Sequence, residues 1–305
     1  MRSDPDEGEA ATRDDCLVRR AVAEAIEHHR SAGREFEAAG VQSFVREQGD
    51  GEPVVLMHGI PVSSFLYRKV LPLLAQRRLR GVAFDLPGLG LAEKPQGFDY
   101  SWSGLGRWTG EAIDALGIER CHFVLHDIGG PIGLEWALRN RERVRTLTVL
   151  DTLIDVAHFR RLWSMDLAAP PVIGPIWVAT IRPPVARWLF YLQGIGNRSA
   201  TPAHEVDAHL AMLHGDGGNR SFRRIVRGFE LTEEKERFYI DGLKEVGWPA
   251  TILWGDRDPA LGEDRRRAIE DALGKEARVI HAKHFLQEDQ ASAVAGAIAD
   301  LAGSV

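Results

Sequence analysis

Two cysteines, Cys16 and Cys121, are all that the 305 residues contain. They cannot build a disulfide framework, nor can they complete a zinc site by themselves. Cys121 sits beside a strand-like apolar run and reads as a small core residue. Positive charge is also in short supply. The 38 Lys and Arg stand against 44 Asp and Glu, a formal net charge of −6 with a pI near 6.0. That balance gives no electrostatic reason to expect nucleic acid or an anionic membrane as a partner. Long apolar runs are missing too, so no segment has the length to span a bilayer. The acidic start "MRSDPDEGEA" lacks the charged-then-apolar layout of a secretory signal, and the default expectation is a cytoplasmic protein. No internal repeat or low-complexity tract is evident.

What is present describes a globular chain, with 44% hydrophobic and 27% charged residues. Its length suits one layered α/β domain carrying an insertion. Residues 1 to about 13 are polar and expected to be disordered. From Asp14 to about His29, Leu17/Val18, Ala21/Val22 and Ala25/Ile26 recur at helical spacing behind an Asp14 or Asp15 N-cap. This predicts an amphipathic helix that docks on the core or on a second subunit, with a homodimer as the candidate assembly.

Further along, "EPVVLMHG", "LRGVAFDLPG", "CHFVLHD", "VRTLTVLD", "PATILWGDRD" and "ARVIHAKH" read as strands ending in Gly, Asp or His. Near-continuous apolar strands alternating with helical patterns predict a mostly parallel sheet covered by helices on both faces. Ligands of such sheets bind beyond the carboxyl ends of the strands, where the polar residues of this chain collect. Between Asp151 and Gly247 the alternation breaks into Trp-, Pro- and Phe-rich helical segments. The expected organisation is an N-terminal extension over 1–33, a sheet domain over 34–151 and 248–305, and a helical cap over 152–247.

Four turns carry candidate chemistry. In "VLHDIGG" a strand runs into a sharp turn and a helix, with Asp127 at the position of an elbow nucleophile. Read alone, Asp127 is either that nucleophile or the cap of the helix "PIGLEWAL". In "LMHGIPVSSFLYR" the His58–Gly59 turn offers the backbone N–H of Ile60. Ile128, the residue after Asp127, offers a second, and together they would form an oxyanion hole. In "VIHAKHFLQEDQ" His284 opens the last helix, which is expected to run to about Leu301, and it is preferred as base over His281. In "ILWGDRDPALGED" Asp256 and Asp258 follow a strand, and Asp151 ends another. Position alone does not decide which of these acids orients His284.

With these residues in hand, the chain resembles the haloalkane dehalogenase and epoxide hydrolase branch of the α/β-hydrolase superfamily. The matching segments, in order, are "HGIPVSSFLYRKVLP", "DLPGLGLAEKP", "HDIGGPIG", "DRDPALG" and "KHFLQED". The similarity runs from about Gly51 to about Leu301, with a loosely matching cap. It implies an α/β-hydrolase fold with an inserted cap and an Asp127, His284, Asp258 triad, with Asp151 as the alternative acid. It also implies an aspartyl-ester intermediate, a small apolar organic substrate and water, and no metal or organic cofactor.

The departures from the family pattern concern the leaving group. Haloalkane dehalogenases usually place Trp after the nucleophile to grip the halide, and this chain has Ile128. Their second donor is usually a cap Trp or an Asn at the position of Ile60, which leaves Trp163, Trp177 or Trp188 as candidates, unless these tryptophans simply pack the cap. Epoxide hydrolases use two cap tyrosines. Tyr191 is one candidate, Phe222 stands where the second would be, and Tyr239 lies further along. Cleavage of a carbon–halogen bond is the leading expectation, with epoxide, lactone or ester hydrolysis as alternatives. A catalytically retired binding protein on the same fold is the reading from another class.

Overall fold

The computed structural model describes residues 13–180 and 183–305, so the N-terminal stretch expected to be disordered lies outside the described residues. Eight strands form one sheet in the order β1-β2-β4-β3-β5-β6-β7-β8. They are β1 (Arg34–Ala38), β2 (Val41–Gln48), β3 (Glu52–Leu56), β4 (Leu79–Phe84), β5 (Cys121–Asp127), β6 (Val144–Thr152), β7 (Ala250–Gly255) and β8 (Arg278–Ile280). The pairs β1/β2 and β2/β4 are antiparallel, and every other pair is parallel. All six expected strands are present. The first two strands, which the sequence reading passed over, form the antiparallel edge.

Side-chain alternation divides the core between the two faces of the sheet. Val55, Val82, Phe84, Phe123, Leu125, Leu147, Val149, Ile252 and Trp254 join one cluster. It is covered by α3 (Trp102–Ala115), α4 (Gly129–Ala137), α10 (Glu233–Glu245) and α11 (Glu263–Leu273). Val54, Leu56, Ala83, Val124, Leu150 and Leu253 join the other, beneath α2 (Leu71–Ala75) and α13 (Ala291–Ala302). Burial on both faces is why these strands read as unbroken apolar runs.

Between β6 and β7 come α5 (Trp163–Asp166), α6 (Ile173–Thr180), α7 (Pro183–Gln193), α8 (Ala203–His214), α9 (Gly218–Arg227) and α10. Residues on or beside the first five of these line a cavity above the sheet, while Tyr239 and Leu243 of α10 join the core below it. The N-terminal helix α1 (Arg13–Ser31) begins at Arg13 among the described residues, so Asp14 and Asp15 lie within its first turn rather than ahead of it. Val22, Ala25 and Ile26 pack on Phe65 and on Ala208 and Met212 of α8, so the helix docks on its own chain. His29 is buried at its end. An Arg46 N–H donates to Nδ1 (3.3 Å), which leaves Nε2 to donate to Ser64 Oγ (3.2 Å). Burial, then the charge of Arg46, lowers the pKa of this imidazole to about 3.

The last helix is not continuous as expected. A short α12 (Leu286–Asp289) is followed by a break at Gln290 before α13. The short turn carries Glu288, which is fully buried and accepts both Arg68 nitrogens (2.6 and 2.8 Å), Lys69 (3.1 Å) and His209 Nε2 (2.8 Å). Burial raises its pKa, but the Arg68 charge beside it outweighs that and holds the group well below the usual range. Glu288 thus ties the segment after His284 to the first loop and to α8. Removing one member of such a buried network leaves the remaining charges uncompensated. Glu288→Gln is therefore expected to lower unfolding stability by about 3 kcal/mol in urea titrations at unchanged slope. A loss below about 1 kcal/mol, the value of an exposed pair, would remove this role.

Candidate active site

Strand β5 delivers Asp127 to the carboxyl edge of the sheet, where the chain reverses into α4 with φ +52 at a non-glycine residue. This left-handed backbone is strained and persists only where its surroundings hold it. Two glycines make room. A Cβ on Gly59 would lie 1.9 Å from Asp127 Oδ1, and one on Gly130 would lie 1.8 Å from Thr152 Oγ1. Thr152 uses that hydroxyl to hold the Asp127 carbonyl (2.5 Å). With Gly59 stripped of a side chain, the Ile60 N–H reaches Asp127 Oδ1 at 2.8 Å. His58 supports the same turn from inside. Its Nδ1 donates to Gly59 O (2.9 Å) while its Nε2 accepts from the Leu86 N–H (3.0 Å), and burial lowers its pKa.

The second carboxylate oxygen, Asp127 Oδ2, faces His284 Nε2 at 3.1 Å. On the far side of the ring, Nδ1 meets Asp258 Oδ2 at 2.7 Å. Asp258 is anchored in turn by the N–H groups of Ala260 (2.7 Å) and Leu261 (3.0 Å) on its Oδ1. Burial alone would strip the proton from His284. The Asp258 charge and the hydrogen bonds to both carboxylates outweigh it, so the imidazole pKa lies well above its usual value. For Asp127, burial raises the pKa, but His284 and the Ile128 N–H prevail and the net shift is downward. His126 packs its ring 4.8 Å from that of His284. Burial first, then the His284 charge, lowers the His126 pKa to about 3 and keeps it neutral.

The remaining candidate acids separate cleanly. Asp256 pairs with His281 (2.9 Å) on an exposed ridge, away from the Asp127–His284 pair. Asp151 is fully buried, with its Oδ1 accepting the Gly255 N–H (2.9 Å). It lies close to the triad without bonding His284. One ligand atom each of Asp151, Asp258 and His284 falls within a 4.8 Å cluster.

Asp127, His284, Ile60 and Ile128 open into a cavity of about 150 Å³. Most of the wall is apolar and comes from the helical insertion, including Leu162, Met165, Leu189, Phe190, Leu213 and Phe222. Of the four expected cap contacts, Trp177 and Phe222 reach this wall. Trp163 does not. It is exposed and its ring lies 5.8 Å from that of Trp177. Tyr191 does not either, because its hydroxyl is turned away to the Thr201 carbonyl (2.8 Å). Trp188 is exposed, and Tyr239 is buried on Glu135 (2.8 Å). Two polar wall residues went unnoticed in the sequence, Gln193 and His214, the latter held by Asn219. A lone Gln or His at a helix end carries no pattern that marks it. Chemically, the site holds a carboxylate with no proton to lose, a hydrogen-bonded imidazole and backbone donors under an apolar roof.

Residues 52–187 match the profile of the α/β hydrolase fold family. A haloalkane dehalogenase of Mycobacterium marinum is 30% identical over 79% of this chain and 81% of its own length. An uncharacterized hydrolase of Saccharomyces cerevisiae is 37% identical over 72% of this chain and 78% of its own. Among solved structures, Cfl2 from Burkholderia cenocepacia shares the fold, with a TM-score of 0.78 at 24% identity, covering 88% of this chain and 94% of that one.

The charge pairing has a measurable consequence. By nitrogen-detected NMR, His284 is expected to stay protonated well above the ordinary histidine value of about 6.5, and Asp127→Asn is expected to move its titration down. Because the folded-state pKa is raised, the associated stability is complete below about pH 6.5 and is lost as pH rises through the folded value. A wild-type His284 that titrates at the ordinary value would refute this arrangement.

Proposed function

Because the chain belongs to the haloalkane dehalogenase and epoxide hydrolase branch of the α/β-hydrolase superfamily, we propose that this hydrolase works through an ester on Asp127 and cleaves a carbon–halogen bond. The observation that carries the reading is the placement of the Asp127 carboxylate. One oxygen lies on the Ile60 N–H and the other on His284, inside an apolar cavity.

In this scheme Asp127 Oδ2 attacks an sp³ carbon, and the halide leaves with the bonding electron pair. A carboxylate can do this without a base, and its lowered pKa keeps it ionised. Ester formation then erases the Asp127 charge, one of the two that hold the proton on His284. The imidazole releases that proton to solvent and becomes a base. It next takes a proton from water, whose oxygen adds to the Asp127 carbonyl carbon. The oxyanion rests between the N–H groups of Ile60 and Ile128, and collapse frees the alcohol and restores the carboxylate. Asp258 stabilises the imidazolium throughout.

A cavity near 150 Å³ is about the size that accepts benzene, which suits a small apolar substrate. Ile60 and Ile128 present no side-chain donor, so the leaving group meets its polar contacts on the insertion, where Trp177, Gln193 and His214 line the wall. The epoxide alternative loses its candidate acids Tyr191 and Tyr239, whose hydroxyls are engaged elsewhere. The non-catalytic alternative is disfavoured by the intact contact between His284 and Asp127.

The test is to stall the second half-reaction. With His284→Gln, incubation with small haloalkanes is expected to add the alkyl mass to the peptide carrying Asp127, and Asp127→Asn is expected to abolish the adduct. No adduct across haloalkanes, epoxides and lactones would defeat the aspartyl-ester reading. An adduct with epoxides alone would keep the ester and replace the leaving group.

A further inference from the structure

Beside His284 and Asp258, the proposed reaction leaves one buried acid idle. Asp151 lies one residue before the end of β6 with no exposure to solvent, and among the described residues only one of its oxygens has a donor, the Gly255 N–H at 2.9 Å. Its Oδ2 is buried without a hydrogen-bond partner among the described residues. A carboxylate oxygen sealed from water with no donor is a costly arrangement in a folded protein. Its surroundings offer few remedies. The turn after β7 contributes Asp258, and the loop after β8 contributes His284. The only imidazole proton facing Asp258 is already used in the 2.7 Å bond to His284. Two carboxyl groups therefore lie together behind one imidazole, and a contact between two acids is bonding only when one of them carries a proton.

We infer that Asp151 is a neutral carboxylic acid that donates its proton in a hydrogen bond to Asp258, making it a positioning residue for the acid of the triad. The pair then shares one proton and one negative charge. Burial, followed by the Asp258 charge, accounts for which member is protonated, since both push the Asp151 pKa well above its ordinary value. Asp258 collects two backbone N–H groups on one oxygen and His284 on the other, whereas Asp151 has the Gly255 N–H.

The shared proton matters for the scheme above, on which this inference's catalytic consequence rests. After Asp127 is esterified, His284 must give up its proton before it can act on water. A pair carrying two charges would go on holding that proton. A pair carrying one charge leaves the imidazole weak enough to be a base and still stabilises it once charged. The arrangement also contains a reserve. If Asp258 loses its charge, Asp151 loses the neighbour that opposes its ionisation and becomes the carboxylate facing His284.

Two measurements need no substrate, so they stand or fall apart from the proposed reaction. Infrared spectroscopy of the whole protein at pH 7 is expected to show a protonated carboxyl band that Asp151→Asn removes. Nitrogen-detected NMR is expected to find His284 still raised in Asp258→Asn and lowered by about one pKa unit or more in Asp151→Asn/Asp258→Asn. The wild-type infrared spectrum tests the proton without relying on any variant to fold. Absence of the band at pH 7 overturns the inference, as does a double variant whose His284 titrates like that of Asp258→Asn. In turnover of whichever electrophile forms the adduct, the double variant is expected to fall at least about tenfold below Asp258→Asn, a larger drop than Asp151→Asn causes in the wild-type background, which independent sites would not show. Equal rates would also overturn it.

Discussion

The structure is organised around a part-buried negative charge on a strained turn. Asp127 sits at positive φ, and its carboxylate is taken from water and returned to charge-stabilising partners, the Ile60 N–H on one oxygen and His284 on the other. An unpaired carboxylate in that position would protonate. Much of the surrounding structure can be read as the apparatus that prevents this. Gly59 gives up a side chain so the Ile60 N–H can come close, His58 braces that turn, and Thr152 holds the carbonyl behind the carboxylate.

The same charge determines the state of His284. The ring lies between two carboxylates and against a neutral His126, so its proton is retained by electrostatics that burial alone would reverse. In the proposed reaction, a site built this way changes its own acid–base character when one carboxylate becomes an ester. No movement of the protein is needed to turn the imidazole from a proton holder into a proton acceptor. The buried Asp151 belongs to the same electrostatic set, and in the proposed neutral form it limits how firmly the ring is held.

The cavity wall belongs to a different part of the chain. Asp127, His284 and the N–H groups of Ile60 and Ile128 come from strand ends and the turns after them, whereas most of the apolar wall comes from the helices between β6 and β7. These helices are tied down at α8, which packs on α1 and reaches the Glu288 network through Glu205 and His209. The segment just after His284 is therefore braced by the same helices that shape the cavity.

The sequence by itself determined the six parallel-sheet strands, the Asp127 elbow, the His58–Gly59 turn and the order of the matching motifs. Each depends on local signals, namely two-sided apolar runs and glycine next to a chemistry-bearing residue. Three kinds of information were not local. The edge strands β1 and β2 lacked the continuous apolar run of the central ones, and pairing with β4 organises them. The ranking of Asp151, Asp256 and Asp258 depended on which carboxylate reaches His284 Nδ1, a meeting of residues 26 apart in the chain. The cap contacts depended on which way each side chain turns. Tyr191 and Trp163 have suitable chemistry in an expected segment, yet one spends its hydroxyl on Thr201 and the other faces solvent, while His214 and Gln193 reach the wall. Helical periodicity names a face, but only packing between helices far apart in sequence decides what that face meets.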